Sequence, residues 1–285
     1  MKKGELIFWE ISDLNTTKEK IEDMGFGDLV PRNDYRTAAV KAIRRLTKGK
    51  ERMYRKFNDN AKSVSFGVFL ENTFQDDISL EKDMIVHVNK STGRLDFSCK
   101  NQDAIDTFKT DYEHAQKTLD ATQFRALVLR VIRRECYGIS MRKGGGIYFV
   151  DSRFEKTKGR LEELFSVFSQ TCKLHLVPIY DDKGTVEAIE HAASQDITTE
   201  INAIFAKVKE SMKKGSLTRR GLDGRIKEAD KIIEKVAVHE GNLRTQLHDV
   251  ELRVKGIKAA FEKLKDDATR VAMDPEDFVS ELEAL

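Results

Sequence analysis

The segment LDGRIKEADKIIEKVAVHEGNLRTQLHDVELRVKGIKAAFEKL, residues 222–264, carries an apolar side chain at alternating steps of three and four residues. The apolar positions are Leu222, Ile226, Ala229, Ile233, Val236, Leu243, Leu247, Val250, Val254, Ile257, Phe261 and Leu264, and Glu240 is the one interruption. This spacing places them on one stripe of a helix, which is typical of a coiled coil or a long helical hairpin. Because an isolated helix in water cannot bury such a stripe, we expect either an oligomer or an arm that folds back on itself.

Before this segment, strand patterns and helix patterns alternate along the chain. Two loops, Asn89–Gly93 and Arg142–Gly145, each separate two short strand-like segments, as in a β-hairpin. Local hairpins mixed with helices favour an α+β fold with a largely antiparallel sheet. We therefore predict a mixed N-terminal domain over residues 1–182 and a C-terminal helical arm over residues 183–285, with the coiled-coil heptads in 222–264. A continuous helix over the heptads would be about 64 Å long at 1.5 Å per residue.

The charges of the chain are numerous and unevenly placed. Charged residues make up 34% of the 285 residues, yet the net charge is only +2. Lys and Arg exceed Asp and Glu by eleven to three from Pro31 to Lys62, and by ten to three from Phe124 to Arg160. Two basic stretches on a nearly neutral protein indicate a directed electrostatic surface. The alternative is that these side chains only solvate helix surfaces.

Motifs for catalysis, metals or cofactors are not apparent in the sequence. The three cysteines are far apart and form no CxxC or Cys/His cluster, so we expect neither a zinc site nor a disulfide framework. The glycines at 144–146 lack the Lys-Ser/Thr of a P-loop. The paired carboxylates Asp181 and Asp182 could hold a metal ion for phosphoryl chemistry, but capping of a turn explains them as well. We therefore expect no metal, no cofactor and no enzymatic activity.

The sequence also bears on where the protein works. The apolar run near the N-terminus is too short for a signal peptide, and no apolar stretch is long enough to cross a membrane. We expect a soluble protein of the reducing cytoplasm, or of the host cytoplasm if a phage encodes it, without a membrane partner.

Three short segments of the sequence are Ile7-Phe8-Trp9-Glu10, Leu29-Val30-Pro31 and Gly144-Gly145-Gly146-Ile147-Tyr148-Phe149-Val150. Together they resemble segments of an uncharacterised family of phage and bacterial proteins of about this length. The family is similar in its Trp-containing first strand, its Leu-x-Pro before a basic Ala-rich helix, and a Gly-Gly-Val-Tyr-Phe-Val-Pro strand. Here Ile147 replaces the Val and Asp151 replaces the Pro. The resemblance covers residues 5–180 and implies a phage or mobile-element origin, without an activity or catalytic residues.

The helix predicted over Thr122–Glu135 and the hairpin after it form a basic motif. Arg130, Arg133 and Arg134 share part of the helix surface, because Arg133 and Arg134 follow Arg130 by three and four residues. A helix followed by a basic, Gly-rich hairpin is how winged-helix domains present positive charge to phosphates. The predicted nucleic-acid-binding residues are Arg44, Arg45, Arg130, Arg133, Arg134, Arg142, Lys143 and Tyr148, the last as a ring on which bases stack. The alternative is that the glycines only satisfy turn geometry and the arginines are solvated.

These patterns lead to one preferred function and two alternatives. We expect a non-enzymatic, phage-type protein that binds nucleic acid, with single-stranded DNA or RNA favoured, and that oligomerises through its arm. The predicted oligomerisation residues are Leu243, Leu247, Val250, Val254, Ile257, Phe261 and Leu264. The first alternative is a coiled-coil interaction or scaffold module, such as a phage factor that binds a host protein. The second is a metal-dependent enzyme that uses Asp181 and Asp182.

Overall fold

The structure is a computed structural model that describes residues 2–31, 34–48, 52–74, 77–99, 101–243 and 248–267. Within them the strands are β1 (Lys2–Ile11), β2 (Asn15–Thr17), β3 (Arg52–Asp59), β4 (Ser63–Phe74), β5 (Asp77–Asn89), β6 (Leu95–Cys99), β7 (Thr118–Asp120), β8 (Ile139–Ser140), β9 (Tyr148–Asp151) and β10 (Cys172–Tyr180). The α-helices are α1 (Lys18–Ile21), α2 (Tyr35–Thr47), α3 (Gln102–Lys117), α4 (Ala121–Arg130), α5 (Glu155–Val167), α6 (Lys183–Lys213), α7 (Arg219–Leu243) and α8 (His248–Asp267). The mixed fold with antiparallel sheets is confirmed.

The chain divides into two compact units, and the division differs from the expected boundary at residue 182. One unit, the inserted unit, is Ile11–Leu127. The other, the split unit, combines Met1–Glu10 with Val128–Leu285. The physical reason is long-range strand pairing, since Leu6 of β1 lies opposite Phe149 of β9 in an antiparallel pair.

The inserted unit is built on an antiparallel sheet in the order β3-β4-β5-β6, with α2 and α3 on one face. Alternate side chains of β4 and β5 point into this core, because the side-chain period of a strand is two. The helix α2 begins at Tyr35 because the preceding Asp34 carboxylate accepts a hydrogen bond from the Thr37 N–H at 2.6 Å. The buried face of α2 consists of Ala38, Ala39, Ala42, Ile43 and Leu46.

The split unit contains a second sheet in the order β10-β1-β9-β8. The predicted hairpin after α4 is confirmed, because Ile139 pairs with Phe149 and Ser140 with Tyr148. The strand residues Ile139 and Phe149 belong to the same core as apolar residues of α6, among them Ile197 and Ile201. This sheet and these helices therefore share one hydrophobic core.

The heptad segment forms two helices rather than one continuous arm. Lys265 Nζ lies 2.5 Å from an Asp223 carboxylate oxygen, and Lys258 Nζ lies 2.6 Å from one of Asp230. These pairs show that α7 and α8 run antiparallel, as the folded-back alternative requires, and that the segment does not form a continuous 64 Å helix. Among the described residues, the apolar stripe is covered within one chain, since heptad positions of both helices lie in a core shared with α6.

Three of the seven predicted oligomerisation residues therefore lie where a second copy has little access. Val254, Ile257 and Phe261 are at most 4% exposed, and they are covered by the chain itself. Leu247 and the side chains of Leu243, Val250 and Leu264 lie outside the described residues. For Val254, Ile257 and Phe261, other helices of the same chain take the place of the partner helix that an oligomer would supply, and self-association stays a prediction.

Candidate nucleic-acid interface

The predicted cations of the inserted unit, Arg44 and Arg45, already have partners. Arg44 Nε donates to the Tyr54 hydroxyl at 3.2 Å. Arg45 Nη1 lies 3.4 Å from an Asp111 carboxylate oxygen and 2.8 Å from His114 Nδ1. They line a depression of about 300 Å³ in which Lys41 is paired with Asp120 at 2.6 Å. Since carboxylates offset much of this charge, the depression is a weak candidate for phosphate binding.

The tip of the hairpin in the split unit is braced by Arg142. Its Nε donates to the Gly145 carbonyl at 2.5 Å, and the backbone at Gly144, Gly145 and Gly146 has φ values of +94°, +80° and +99°. Glycine adopts such values without strain, so the turn depends on these residues. Lys143 is exposed at the tip. Substitution of Arg142 would therefore change the turn as well as the charge.

Tyr148 does not have the free ring that was predicted for it. Its side chain is 4% exposed. The ring stacks on Trp9 with a centroid distance of 5.6 Å, and the Arg133 guanidinium lies 5.7 Å from its centroid. A base has no room to stack there, so Tyr148 stabilises the split unit and positions Arg133.

Arg133 and Arg134 lie in a π-helical segment, Val131–Glu135, which continues α4. Val131 and Ile132 are fully buried, and this leaves the two arginines on the surface. They face a groove of about 340 Å³ that we call the α6–α7 cleft. The residues that line it are Arg133, Arg134, Tyr137, Glu200, Ala203, Ile204, Lys207, Glu228, Lys231, Ile232 and Lys235.

An ion network centred on the buried Lys235 and Asp196 forms one wall of the α6–α7 cleft. Lys235 Nζ lies 2.7 Å from Asp196 Oδ2 and 3.0 Å from Glu200 Oε1. Asp196 Oδ2 also accepts from the Ser140 N–H at 3.1 Å, which ties α6 to β8. Arg133 completes the network at 3.8 Å from Asp196 and 3.6 Å from Glu200. The two carboxylates and two cations balance, so the network leaves no net charge.

The remaining cations of the α6–α7 cleft are exposed and have no partner among the described residues. They are Arg134, Lys207 and Lys231. The other acidic lining residue, Glu228, is held by Arg225 Nη1, which lies 2.6 Å from each of its carboxylate oxygens. Five cations and two carboxylates line the cleft, a net charge of +3. Such a concave positive surface attracts anions.

Sequence reasoning found Arg133 and Arg134 but missed Lys207 and Lys231. Each lysine is an ordinary exposed position of an amphipathic helix, so its local pattern carries no signal. The packing of α6 and α7 brings both into one groove with the arginines. The excess of Lys and Arg from Phe124 to Arg160 could be detected in the sequence, and it includes the two arginines of the cleft but not the two lysines.

His239 holds one end of the α6–α7 cleft in place. Its ring is fully buried, and its Nε2 lies 2.8 Å from the Tyr137 carbonyl, to which it donates in the neutral form. Tyr137 has the unusual φ of +48°, and its hydroxyl donates to Glu234 at 2.8 Å. Burial lowers the pKa of His239 to about 4, with the positive charge of Lys235 acting in the same direction.

The low pKa of His239 predicts that acid destabilises the protein. His239 binds a proton near pH 6.5 in the unfolded state and only near pH 4 in the folded state. The contribution of His239 to the free energy of unfolding is therefore complete above pH 6.5 and is lost as the pH falls toward 4. The loss amounts to about 3 kcal/mol at about 1.4 kcal/mol per pKa unit. Urea unfolding of wild type and His239→Gln at pH 7, 5.5 and 4.5 measures it, because Gln can donate to the carbonyl and does not titrate. Parallel pH profiles of the two proteins would contradict the assignment.

The carboxylates considered for metal binding have structural roles. Asp182 caps α6 by accepting from the Thr185 N–H at 3.0 Å and its hydroxyl at 2.8 Å, and these bonds lower the pKa of Asp182. Asp181 lies 3.7 Å from Lys3 Nζ. Over the described ranges, His, Cys, Asp and Glu side chains do not gather in groups of three that could hold a metal ion.

The sequence model of one protein family matches residues 4–270, nearly the whole chain. The chain belongs to this family, DUF6744, a family of unknown function. The predicted relation to an uncharacterised family is thereby confirmed, while the phage origin stays a prediction. Comparisons with curated proteins and with solved structures gave no match.

The region matched by DUF6744 includes the whole lining of the α6–α7 cleft and most of both units. Membership assigns no ligand to the cleft, so its chemistry must be read from its side chains. Among the helices that the structure describes, none has the length and apolar character required to cross a lipid bilayer.

Proposed function

We propose that this DUF6744 protein binds nucleic acid without catalysing a reaction, and that the α6–α7 cleft contacts the phosphates. The observation that carries the proposal is a set of three exposed cations around one groove of the split unit, Arg134, Lys207 and Lys231, for which the described part of the chain supplies no partner. Guanidinium and ammonium groups supply the donors that phosphate oxygens accept, and such contacts provide most of the sequence-independent affinity.

The surroundings of these cations strengthen the case for phosphates. Ile204 and Ile232 are buried beneath the groove, and an apolar floor of low polarisability increases the attraction between charges above it. The buried network satisfies Glu200, and Arg225 satisfies Glu228. The acidic residues of the cleft are thus engaged, while three cations remain for a ligand. We expect single-stranded DNA or RNA to be preferred.

A binding titration at two salt concentrations tests the proposal. We expect the wild type to bind single-stranded DNA and RNA, and to lose affinity as salt increases. The triple variant Arg134→Glu/Lys207→Glu/Lys231→Glu should bind at least about tenfold more weakly, and its slope of log affinity against log salt should fall by about 2, at about 0.7 per phosphate contact. Fluorescence anisotropy with labelled 20-nucleotide strands, a duplex and an RNA measures both quantities.

The matched control reverses the same amount of charge elsewhere in the split unit. Lys156, Lys173 and Lys213 are exposed and do not line the α6–α7 cleft. Equal losses in the control Lys156→Glu/Lys173→Glu/Lys213→Glu and the cleft variant would show non-specific attraction and refute the cleft. If the wild type binds no nucleic acid at low salt, the function is wrong, and the interaction-module alternative becomes the leading hypothesis.

A further inference from the structure

The sheet of the inserted unit has one face that α2 and α3 leave uncovered. Val64, Phe66 and Val68 of β4 point toward the helices, so Ser65, Gly67 and Phe69 point the other way. Residues directly opposite each other in an antiparallel pair share a face. The register therefore adds Arg55, which pairs with Gly67, and Lys82, which pairs with Phe69, to this open face.

An exposed aromatic ring stands on the open face. A bulge between Lys56 and Asn58 leaves Phe57 outside the regular ladder. Its ring lies against Gly67, where an added Cβ would come within 2.3 Å of Phe57 Cε2, and it meets the Phe69 ring edge-on at 5.8 Å. Phe57 is nevertheless 55% exposed. Glycine at position 67 thus lets the sheet hold a large apolar ring that remains open to solvent.

Cations flank the ring on the same face. Arg55 and Lys82 are exposed and have no partner among the described residues. The carboxylates of this region are largely engaged, since Asp83 lies 3.1 Å from Arg52 and Asp96 lies 3.3 Å from Arg94. Glu71 is the next residue after Phe69 on this face of β4. Its single negative charge is smaller than the two positive charges of Arg55 and Lys82.

We propose that this open face stacks unpaired bases of a single-stranded nucleic acid on Phe57 while Arg55 and Lys82 contact its phosphates. The inference rests on the proposed function and names its substrate class. An exposed ring flanked by cations suits a single strand, because each base offers a flat surface for stacking and each nucleotide carries a phosphate. A duplex hides its bases within the stack, so it can use the cations but not the ring.

The test compares Phe57→Ala, Phe57→Tyr and Leu252→Ala in full-length protein. Phe57→Ala should weaken binding of a single-stranded 20-mer by about 5- to 100-fold, the range for loss of one stacked base. Duplex affinity should change by less than about twofold, and Phe57→Tyr should retain the single-strand affinity because it keeps a ring. Leu252, 53% exposed on α8, is the control for loss of an exposed apolar side chain and should have no effect.

The outcomes separate this inference from the proposed function. If the cleft variant weakens binding and Phe57→Ala does not, the open face is refuted while the cleft stands. Equal losses for single strand and duplex would also refute stacking, and no binding by the wild type would refute both.

As a second measurement, the Phe57→Trp variant should show fluorescence quenching by the single strand and none by the duplex. Phe57-dependent binding of polyglutamate instead would assign the face to acidic peptides and overturn the proposal.

Discussion

The variant Lys235→Met is expected to lower the free energy of unfolding by about 3–5 kcal/mol, the usual cost of removing one partner from a buried ion pair. Lys235 is 4% exposed and Asp196 is 8% exposed. Without the ammonium group, Asp196 keeps the Ser140 N–H and a distant Arg133, which cannot offset the loss of hydration. Met has nearly the same length as Lys, so the effect is one of charge rather than of volume.

Urea unfolding at pH 7 measures this effect. Lys231→Met, one turn earlier in α7 and exposed, is the matched control and should change stability by no more than about 0.5 kcal/mol. The double variant Asp196→Asn/Lys235→Met should recover much of the loss, because the amide oxygen still accepts from Ser140 and carries no charge. A loss below about 1 kcal/mol in the single variant would mean that water reaches Asp196.

The variant Phe261→Ala should lower the free energy of unfolding by about 3–5 kcal/mol, as is usual for a large aromatic side chain removed from a core. Phe261 is fully buried, in a core shared by α6, α7 and α8. Because its neighbours belong to the same chain, the loss should be the same at every protein concentration.

The dependence on concentration distinguishes this packing from the oligomer predicted from the heptads. Unfolding of wild type and Phe261→Ala is followed over a hundredfold range of protein concentration, together with their mass by sedimentation. Leu252→Ala, an exposed position on the same helix, should be nearly neutral. A midpoint that rises with concentration, and a smaller mass for Phe261→Ala, would show that the side chain lies between copies instead.

Apolar periodicity predicted the helices and strands well, but it did not predict what covers the apolar stripe of the heptad segment. The buried face of α2 and the buried residues of α4 follow directly from steps of three and four residues. The same spacing in the heptads identifies an apolar stripe that must be buried. A helix of a second chain and a helix of the same chain can bury it equally well. Ile197, Ile201 and Ile204 of α6 supply part of the cover, and their pattern does not state which stripe they meet.

Contacts between residues that are distant in the sequence account for the other differences between the predictions and the structure. The compact units do not divide at residue 182, because β1 pairs with β9, and such a pairing has no local signature in the sequence. The stack of Tyr148 on Trp9 joins residues 139 positions apart, so the sequence shows an available tyrosine where the structure has a buried one. In the same way, Arg134 was recognised from its basic surroundings, whereas Lys207 and Lys231 become part of a site only when α6 and α7 pack.

The position of β1 between β9 and β10 has a consequence for biosynthesis. The ribosome makes β1 first, but the two strands that flank it are complete only roughly 140 and 170 residues later. At about 5–20 residues per second, β1 waits on the order of 10–30 s with both edges unpaired. The inserted unit is complete in sequence during this interval, so we expect it to fold first on the ribosome. The nascent β1, which carries the apolar Ile7, would then be the segment most in need of a chaperone.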